Sequence, residues 1–445
     1  MSRGVDGSIP PQMGTSTWGI GAAADLLITG ADLAGAGPAD LLIRDGLFTD
    51  PANAAPGTET IAAEGLVALP GLVDLHTHLR EPGREDAETV GSGTRAAARG
   101  GYTAVLAMAN TSPVTDTAEA AEHVAALGRR DGSAQVVPVG AVSKGLAGLE
   151  LAELGLMARS GAGVRVFSDD GHCVADARLM RRALEYVRAF DGVIAQHAQD
   201  PRLAGSDACC HEGEISGRLG LPGWPAAAEA GIVARDVQLA GLTRSRLHVC
   251  HVSTAETVEV LRWAKGRGLP VTAEVTPHHL LLTTDEVLTY DPTYKVNPPL
   301  RPAEDVAALR DALSDGTIDA VATDHAPHAR HDKEHAFAEA AFGMVGLETA
   351  LAVVLETMVA TDRLGWREVA ERMSVVPAHI ARLPDQGRPL ATGSPGNLVL
   401  VDPTARAVVE RTESASRSRN NPWHGRELPE PVVATVWAGQ VTYRR

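Results

Sequence analysis

The segment Asp74-Leu75-His76-Thr77-His78-Leu79-Arg80 sets two imidazoles two residues apart. In a strand, residues i and i+2 share a face, so His76 and His78 can address one metal ion. Alone, the pattern could be two polar residues at a strand end. Other apolar runs repeat it. Val164-Arg165-Val166-Phe167-Ser168-Asp169-Asp170-Gly171 ends in paired carboxylates. Ala195-Gln196-His197 and Val249-Cys250-His251 end in histidine, and Ala322-Thr323-Asp324 ends in aspartate. Asp169 could equally cap a turn or a helix. Four histidines and two aspartates buried together as filler would leave polar groups without partners. Read together, they are a metal-ligand set. Nitrogen and oxygen ligands without cysteine suit Zn²⁺, Mn²⁺ or Co²⁺, with Zn²⁺ as the default. The set exceeds one tetrahedral site with an open position. Two ions sharing a carboxylate fit better, holding a hydroxide at neutral pH while polarising a carbonyl.

Each candidate ligand stands where a strand-like run stops. Such runs at 103–107, 135–139, 164–167, 193–196, 247–252, 271–275 and 318–322 alternate with helical stretches at 118–127, 176–189, 225–240 and 255–265. Repeated βα units imply a parallel sheet. About eight units in roughly 310 residues imply a closed (β/α)₈ TIM-type barrel, with its active site at the C-terminal strand ends. A doubly wound sheet is the alternative. Residues 70–383 are assigned to the barrel. Short strand-like runs near both chain ends predict a small β-sandwich domain from 25–69 plus 384–445. Residues 1–24, rich in Gly, Ser, Thr and Pro, predict a disordered leader.

Composition narrows the partners. The net charge is −16, and no Lys/Arg-rich run appears, which argues against nucleic acid and anionic membrane surfaces. An anionic substrate would need local positive groups. Aromatics are 4%, so the core must be built from Ala, Val, Leu and Ile. Cys173, Cys209, Cys210 and Cys250 show no CxxC spacing and imply no disulfide framework. No signal-peptide pattern and no membrane-length apolar run appears. A cytoplasmic protein is expected.

DLHTHLREPG, NTSP, SDDG, GEISGRLGLPGWPAAAE, HVCHVS, KVNPPLR and ATDHAPH occur in that order. Together they resemble bacterial class I dihydroorotase of the amidohydrolase superfamily. The detailed resemblance spans residues 66–350, with the flanking β-domain similar in outline. It implies reversible interconversion of dihydroorotate and N-carbamoyl-L-aspartate in pyrimidine synthesis. It implies two divalent ions: His76 and His78 on the first with Asp324 nearby, His197 and His251 on the second, and Asp170 bridging. Arg80, Asn110 and His328 would hold the substrate carboxylate. Asn297 and the Phe342-Gly343 backbone would meet the ring amide groups. Asp324 would carry the proton from the attacking hydroxide to the leaving nitrogen.

Physical chemistry agrees with that division. The planar guanidinium fork matches a carboxylate, and Arg80 lies two residues past His78, on the expected ligand face. A surface ion pair with Glu81 or Glu85 is its alternative. His325 and His248 fall out of phase with the ligands and are expected to be structural, with support of a ligand from behind as the alternative for His325. His172, His211, His331 and His335 are expected at the surface. Two positions depart from the family: Ala109 and Ala341 stand where proline is usual. Either could loosen a substrate loop.

Hydantoinase/dihydropyrimidinase and allantoinase are rival readings. Those families bridge their metals with a carboxylated lysine. The run 164–170 has no lysine, and Lys144 is the nearest. A non-catalytic dihydroorotase-like partner of aspartate transcarbamoylase is a rival of another class. Such chains typically lose metal ligands, whereas all these positions are filled here. A homodimer acting on a small-molecule substrate is expected, and association with aspartate transcarbamoylase stays open.

Overall fold

The computed structural model describes residues 24–445. The expected leader, 1–24, lies outside the described residues except for Ala24. The middle of the chain forms parallel strands: β1 (Leu72–Thr77), β2 (Tyr102–Ala107), β3 (Gln135–Pro138), β4 (Val166–Phe167), β5 (Val193–Gln196), β6 (Arg246–Val249), β7 (Val271–Val275) and β8 (Ala320–Val321). β1, β2 and β3 pair in one sheet, and β4 through β8 pair in a second. Isolated parallel bridges join the two, Gly140 to Phe167 and Thr77 to His325. The chain is therefore α/β, with helices such as Val90–Arg99, Ala118–Asp131, Ala177–Val187, Ala227–Thr243, Ala255–Gly266 and Ala303–Asp315 between successive strands.

The strands read as continuous apolar runs because both of their faces are covered. Every residue of β1, β2 and β5 is buried. Between strands and helices lies a broad aliphatic layer that includes Leu72, Val105, Ile194, Leu247 and Val275. Inside the strands a second cluster holds Leu75, Leu106, Val139, Val166, Val193, Ala195 and Ala320, closed by Ile380 and Ala381. Several helices begin with one device. The side chains of Thr89, Thr117, Asp176 and Thr254 accept from the amides of Ser92, Ala120, Leu179 and Thr257. Each satisfies an amide that has no intrahelical partner.

Strands from the two chain ends share one eight-stranded sheet. Val67–Pro70 pairs antiparallel with Leu398–Val401, with Leu69 opposite Val399, and this joins the early chain to the late chain. Leu26–Leu33 pairs in turn with Pro38–Arg44, Glu59–Ala62 and Val67–Pro70. One strand pair of the late chain sits elsewhere: Arg406–Val408 pairs with Glu427–Pro429 in a separate two-stranded sheet. The residues of Arg406–Val408 are exposed or half-buried, so no apolar face draws that strand into the larger sheet. No helix of the described residues is long and apolar enough to cross a membrane.

Leu69 is fully buried, whereas Leu149 is 84% exposed. Leu69→Ala should destabilise the fold by about 2–5 kcal/mol, and Leu149→Ala by no more than about 0.5 kcal/mol. Thermal unfolding of the two variants checks this; equal midpoints would contradict the packing described.

Candidate metal centre

His76 occupies the end of β1 and His78 lies just past it, where the His78 amide donates to the His325 carbonyl at 2.9 Å. Asp170, His197, His251 and Asp324 follow β4, β5, β6 and β8 by one to three residues. These six side chains are all buried. His76 Nε2 lies 3.2 Å from Asp170 Oδ1 and 3.5 Å from Asp324 Oδ1. His78 Nε2 lies 3.3 Å from Asp170 Oδ2 and 3.2 Å from Asp324 Oδ1. On the other side, His197 Nδ1 and His251 Nε2 are 3.3 and 3.4 Å from Asp170 Oδ1 and 2.9 Å from each other. Two ligand groups result: His76, His78, Asp170 and Asp324, and Asp170, His197 and His251. Asp170 belongs to both.

Partners on the far side of three of the four rings fix their tautomers. His76 Nδ1 donates to Glu274 Oε1, His78 Nδ1 to Asn110 Oδ1, and His197 Nε2 to Gln199 Oε1, each at 2.9 Å. Carboxylate and amide oxygens only accept, so the inward nitrogens are left as bare lone pairs. His76 Nε2 is buried with no hydrogen-bond partner. Lone pairs and carboxylates converging in this way repel one another unless a cation stands among them. The residues therefore fit a divalent metal. Cys250 also lies beside His76 and Glu274, where burial pushes its thiol up to about 12; in that group His76 Nδ1 and Glu274 are already bonded to each other.

Burial works against every charge here, and neighbours decide the outcome. Burial alone would raise the Glu274 carboxyl; hydrogen bonds from His248 and His76 overcome it and hold it down at about 2. Asp170 lies well below the usual carboxylate range, against burial, when His76, His197 and His251 carry protons toward it; with their lone pairs turned inward, that positive charge falls to a cation. Asp74 shows the opposite balance. Burial carries it up to about 6 although Thr323 and Thr77 donate to it. Its bonds to the Thr323 amide and hydroxyl, 2.8 and 2.6 Å, tie β1 to the segment carrying Asp324. The Asp169 side chain caps neither a local turn nor a helix. It accepts from the distant amides of Val142 and Ser143 at 2.8 and 2.9 Å and belongs to neither ligand group.

The expected substrate-binding residues gather nearby, with some differences. Strand alternation does not place Arg80: β1 ends at Thr77, and Arg80 has φ 62°. His251 and Asp324 also have positive φ, 32° and 45°. Such strained backbone persists where surrounding structure holds it, often at functional sites. Arg80 is half-buried, and its Nε donates to the Pro327 carbonyl at 3.0 Å. Burial and the nearby Arg84 push the guanidinium down to about 10. Neither acid proposed as its surface partner is free. Glu81 accepts from the Val90 amide and Glu85 from the Gly83 amide.

Asn297 donates to Gln199 at 2.9 Å, and its own buried Oδ1 has no partner. His328 Nε2 donates to the Phe342 carbonyl at 2.7 Å, while Nδ1 is buried with no hydrogen bond, 3.7 Å from Asp332 Oδ2. Burial and the charge on Arg80 push this ring down to about 2, so it is neutral. Gly343 has φ 135°, and a Cβ there would lie 2.7 Å from Ala326 Cβ. At Ala341, the amide that proline would lack donates to the Asp332 carbonyl at 3.0 Å.

Outside the ligand set, His325 bonds Glu88 and His248 bonds Glu274 and Thr272. His172, His331 and His335 are exposed as expected. His211 is not: it is half-buried, and Arg301 Nη1 donates to its Nδ1 at 2.9 Å. A fully buried arginine needs an acceptor, and this ring supplies one. Sequence reasoning missed Glu274, Gln199 and the buried His278. A glutamate inside the apolar run Val271–Val275 was the available signal for the first.

Comparison with known proteins places these features. A family model described as dihydro-orotase-like matches residues 65–257. The chain is 60% identical over 419 residues to a dihydroorotase of Streptomyces coelicolor, covering 94% of this chain and 97% of that one. It is 54% identical over 431 residues to a dihydroorotase of Mycobacterium tuberculosis, covering 97% of each. Among solved structures, L-hydantoinase (dihydropyrimidinase) from Arthrobacter aurescens matches with a TM-score of 0.83 at 24% identity, over 95% of this chain and 96% of that one. Dihydropyrimidinase from Brevibacillus agri matches with 0.82 at 22% identity, over 94% and 95%. The structural likeness is one of fold. The sequence likeness runs through nearly the whole length, and by it the chain belongs to the dihydroorotase family.

Proposed function

We propose that this chain is a dihydroorotase, a cyclic amide hydrolase that interconverts dihydroorotate and N-carbamoyl-L-aspartate. The observation that carries the reading is Asp170, one carboxylate shared by two histidine pairs in a chain of this family. Two divalent ions, Zn²⁺ by default, would be held by His76, His78 and Asp324 and by His197 and His251, with Asp170 between, and would supply an activated water and a polarised carbonyl. Asp324 is the group we assign to the proton. It lies buried 3.2 Å from His78 Nε2 among the converging ligand atoms, where a carboxylate can accept a proton from the attacking water and pass it to the leaving ring nitrogen.

Arg80 reads the substrate carboxylate. Its Nε is used on Pro327, and its terminal nitrogens have no protein partner among the described residues. Asn110, bonded to His78, links that pocket to the metal ligands. His328 and Asn297 each hold a buried polar atom without a hydrogen-bond partner, which a polar substrate would satisfy. The Phe342-Gly343 backbone completes the pocket beside His328. A hydantoinase reading is disfavoured by the bridging position. Lys144, the nearest lysine in sequence, pairs with Glu150 at 3.3 Å and is exposed.

We further infer that the two parallel sheets are one (β/α)₈ barrel over 70–383, supported by the bridges Gly140–Phe167 and Thr77–His325. Residues 25–69 and 384–445 are read as a β-sandwich, supported by a core of their own with Ile28, Ile43, Leu398, Leu400 and Val436. A cytoplasmic homodimer is the assembly inferred, and nothing in the site opposes a complex with aspartate transcarbamoylase.

Steady-state assays with dihydroorotate, hydantoin and allantoin test the assignment. Turnover should be confined to dihydroorotate, and preference for either rival would overturn it. Asp170→Ala should lose bound metal and activity together, while Asp169→Ala keeps metal and loses thermal stability; the reverse pattern in elemental analysis would reassign the bridge. Asp324→Asn should cut turnover by about 10²–10⁴-fold. A near-normal rate with metal retained would mean that another group carries the proton. Arg80→Met keeps the packing stem and removes the fork. It should abolish most of the preference for dihydroorotate over dihydrouracil, read as the ratio of kcat/KM values. An unchanged ratio would place carboxylate recognition elsewhere.

A further inference from the structure

Lys333 ends the short helix Arg330–Lys333 and turns its side chain inward, away from the acidic surface. Its Nζ donates to the carbonyls of Ala341, Gly343 and Lys295 at 2.8, 3.0 and 3.4 Å. An ammonium has three N–H donors, and here each has a backbone oxygen. No ion pair neutralises it among the described residues. Burial, with the nearby Lys295, pushes it down to about 7. A cation in such a place is costly, and the carbonyls are what stabilise it.

The segment it holds is 341–343, whose polar backbone atoms are nearly all engaged. The Ala341 amide donates to Asp332, and the Gly343 amide donates to Lys295 at 2.9 Å. The Phe342 carbonyl accepts from His328, and the Gly343 carbonyl accepts a second bond from Asn420 at 3.1 Å. Lys295 bonds the Ala338 carbonyl at 2.8 Å and stands 4.2 Å from the centre of the Phe342 ring. The exception is the Phe342 amide, which has no partner among the described residues.

We propose that Lys333 is a positioning residue that gathers the Ala341 and Gly343 carbonyls onto one ammonium and so keeps the Phe342 N–H free as a donor to the substrate's ring amide carbonyl. This rests on the dihydroorotase reading of the site. It also accounts for Ala341. Without a proline ring to stiffen the segment, hydrogen bonds on both sides of that residue, from its amide to Asp332 and from Lys333 to its carbonyl, hold it instead. Lys333 touches neither substrate nor metal ligands, so its effect should appear in substrate binding and not in metal content.

The test uses the full-length, metal-loaded enzyme and its Lys333→Met and Lys333→Gln variants. Hydrogen–deuterium exchange over peptides spanning 336–346 reads the tether, and steady-state kinetics with dihydroorotate read its consequence. In Lys333→Met the exchange should accelerate. KM should rise about tenfold or more while kcat changes less than about threefold, the mark of lost binding common to ground and transition states. Lys333→Gln retains a donor and should fall between wild type and Lys333→Met; should the methionine variant fail to fold, the glutamine variant carries the same comparison. Unchanged exchange overturns the tether, and faster exchange with unchanged KM overturns the positioning role. A loss of kcat together with metal would also overturn it. If the wild-type enzyme does not turn over dihydroorotate, the functional reading itself fails, and the exchange measurement still decides whether Lys333 holds the segment.

Discussion

Asp170 stands within 3.2–3.4 Å of four imidazole nitrogens, those of His76, His78, His197 and His251. Much of the surrounding structure serves to keep that convergence in place. Metal ions flanking that carboxylate would need the rings' lone pairs facing inward, and three of the four rings are held so. Glu274, Asn110 and Gln199 enforce this from behind. The strand ends must also keep their spacing. Asp74 ties the end of β1 to Thr323, and Asp169 ties the end of β4 to Val142 and Ser143. These are buried carboxylates with full sets of donors, which fixes geometry better than apolar contact can.

The fold is shared with enzymes whose chemistry differs in detail. Solved hydantoinase structures match nearly the whole length at under 25% identity. Architecture therefore says little about which cyclic amide is opened, and the site has to say it. Here the informative features are local. Asp170 follows β4, Arg80 reaches the pocket with its terminal nitrogens unpaired, and the 341–343 segment is fastened from several sides. In the last of these, the Ala341 N–H, which a proline would lack, finds its acceptor in the Asp332 carbonyl.

What could be read in the sequence was the set of residues standing where apolar runs stop. Side chains two apart at the end of β1, and histidine or aspartate just past β4, β5, β6 and β8, gave the ligand candidates without coordinates. Alternation does not separate Asp169 from Asp170, since both lie past Phe167, where β4 ends. Parity reasoning ran out where the strands did. Arg80, His251 and Asp324 lie beyond strand ends with positive φ, and backbone turns aim them. Partners distant in sequence were hidden for a different reason. Glu274 is 198 residues from His76, and nothing local marks it except an acid in an apolar run. His211 looked like a surface residue because its acceptor role exists only once Arg301 is buried beside it.

The account stands on two metal ions flanking one carboxylate. A crystal structure of the metal-loaded protein, with anomalous difference maps on both sides of the zinc absorption edge, measures this directly. Two peaks about 3.5–4 Å apart are predicted, one against His76, His78 and Asp324 and the other against His197 and His251, with Asp170 touching both. A single peak, or a second peak away from Asp170, would contradict it.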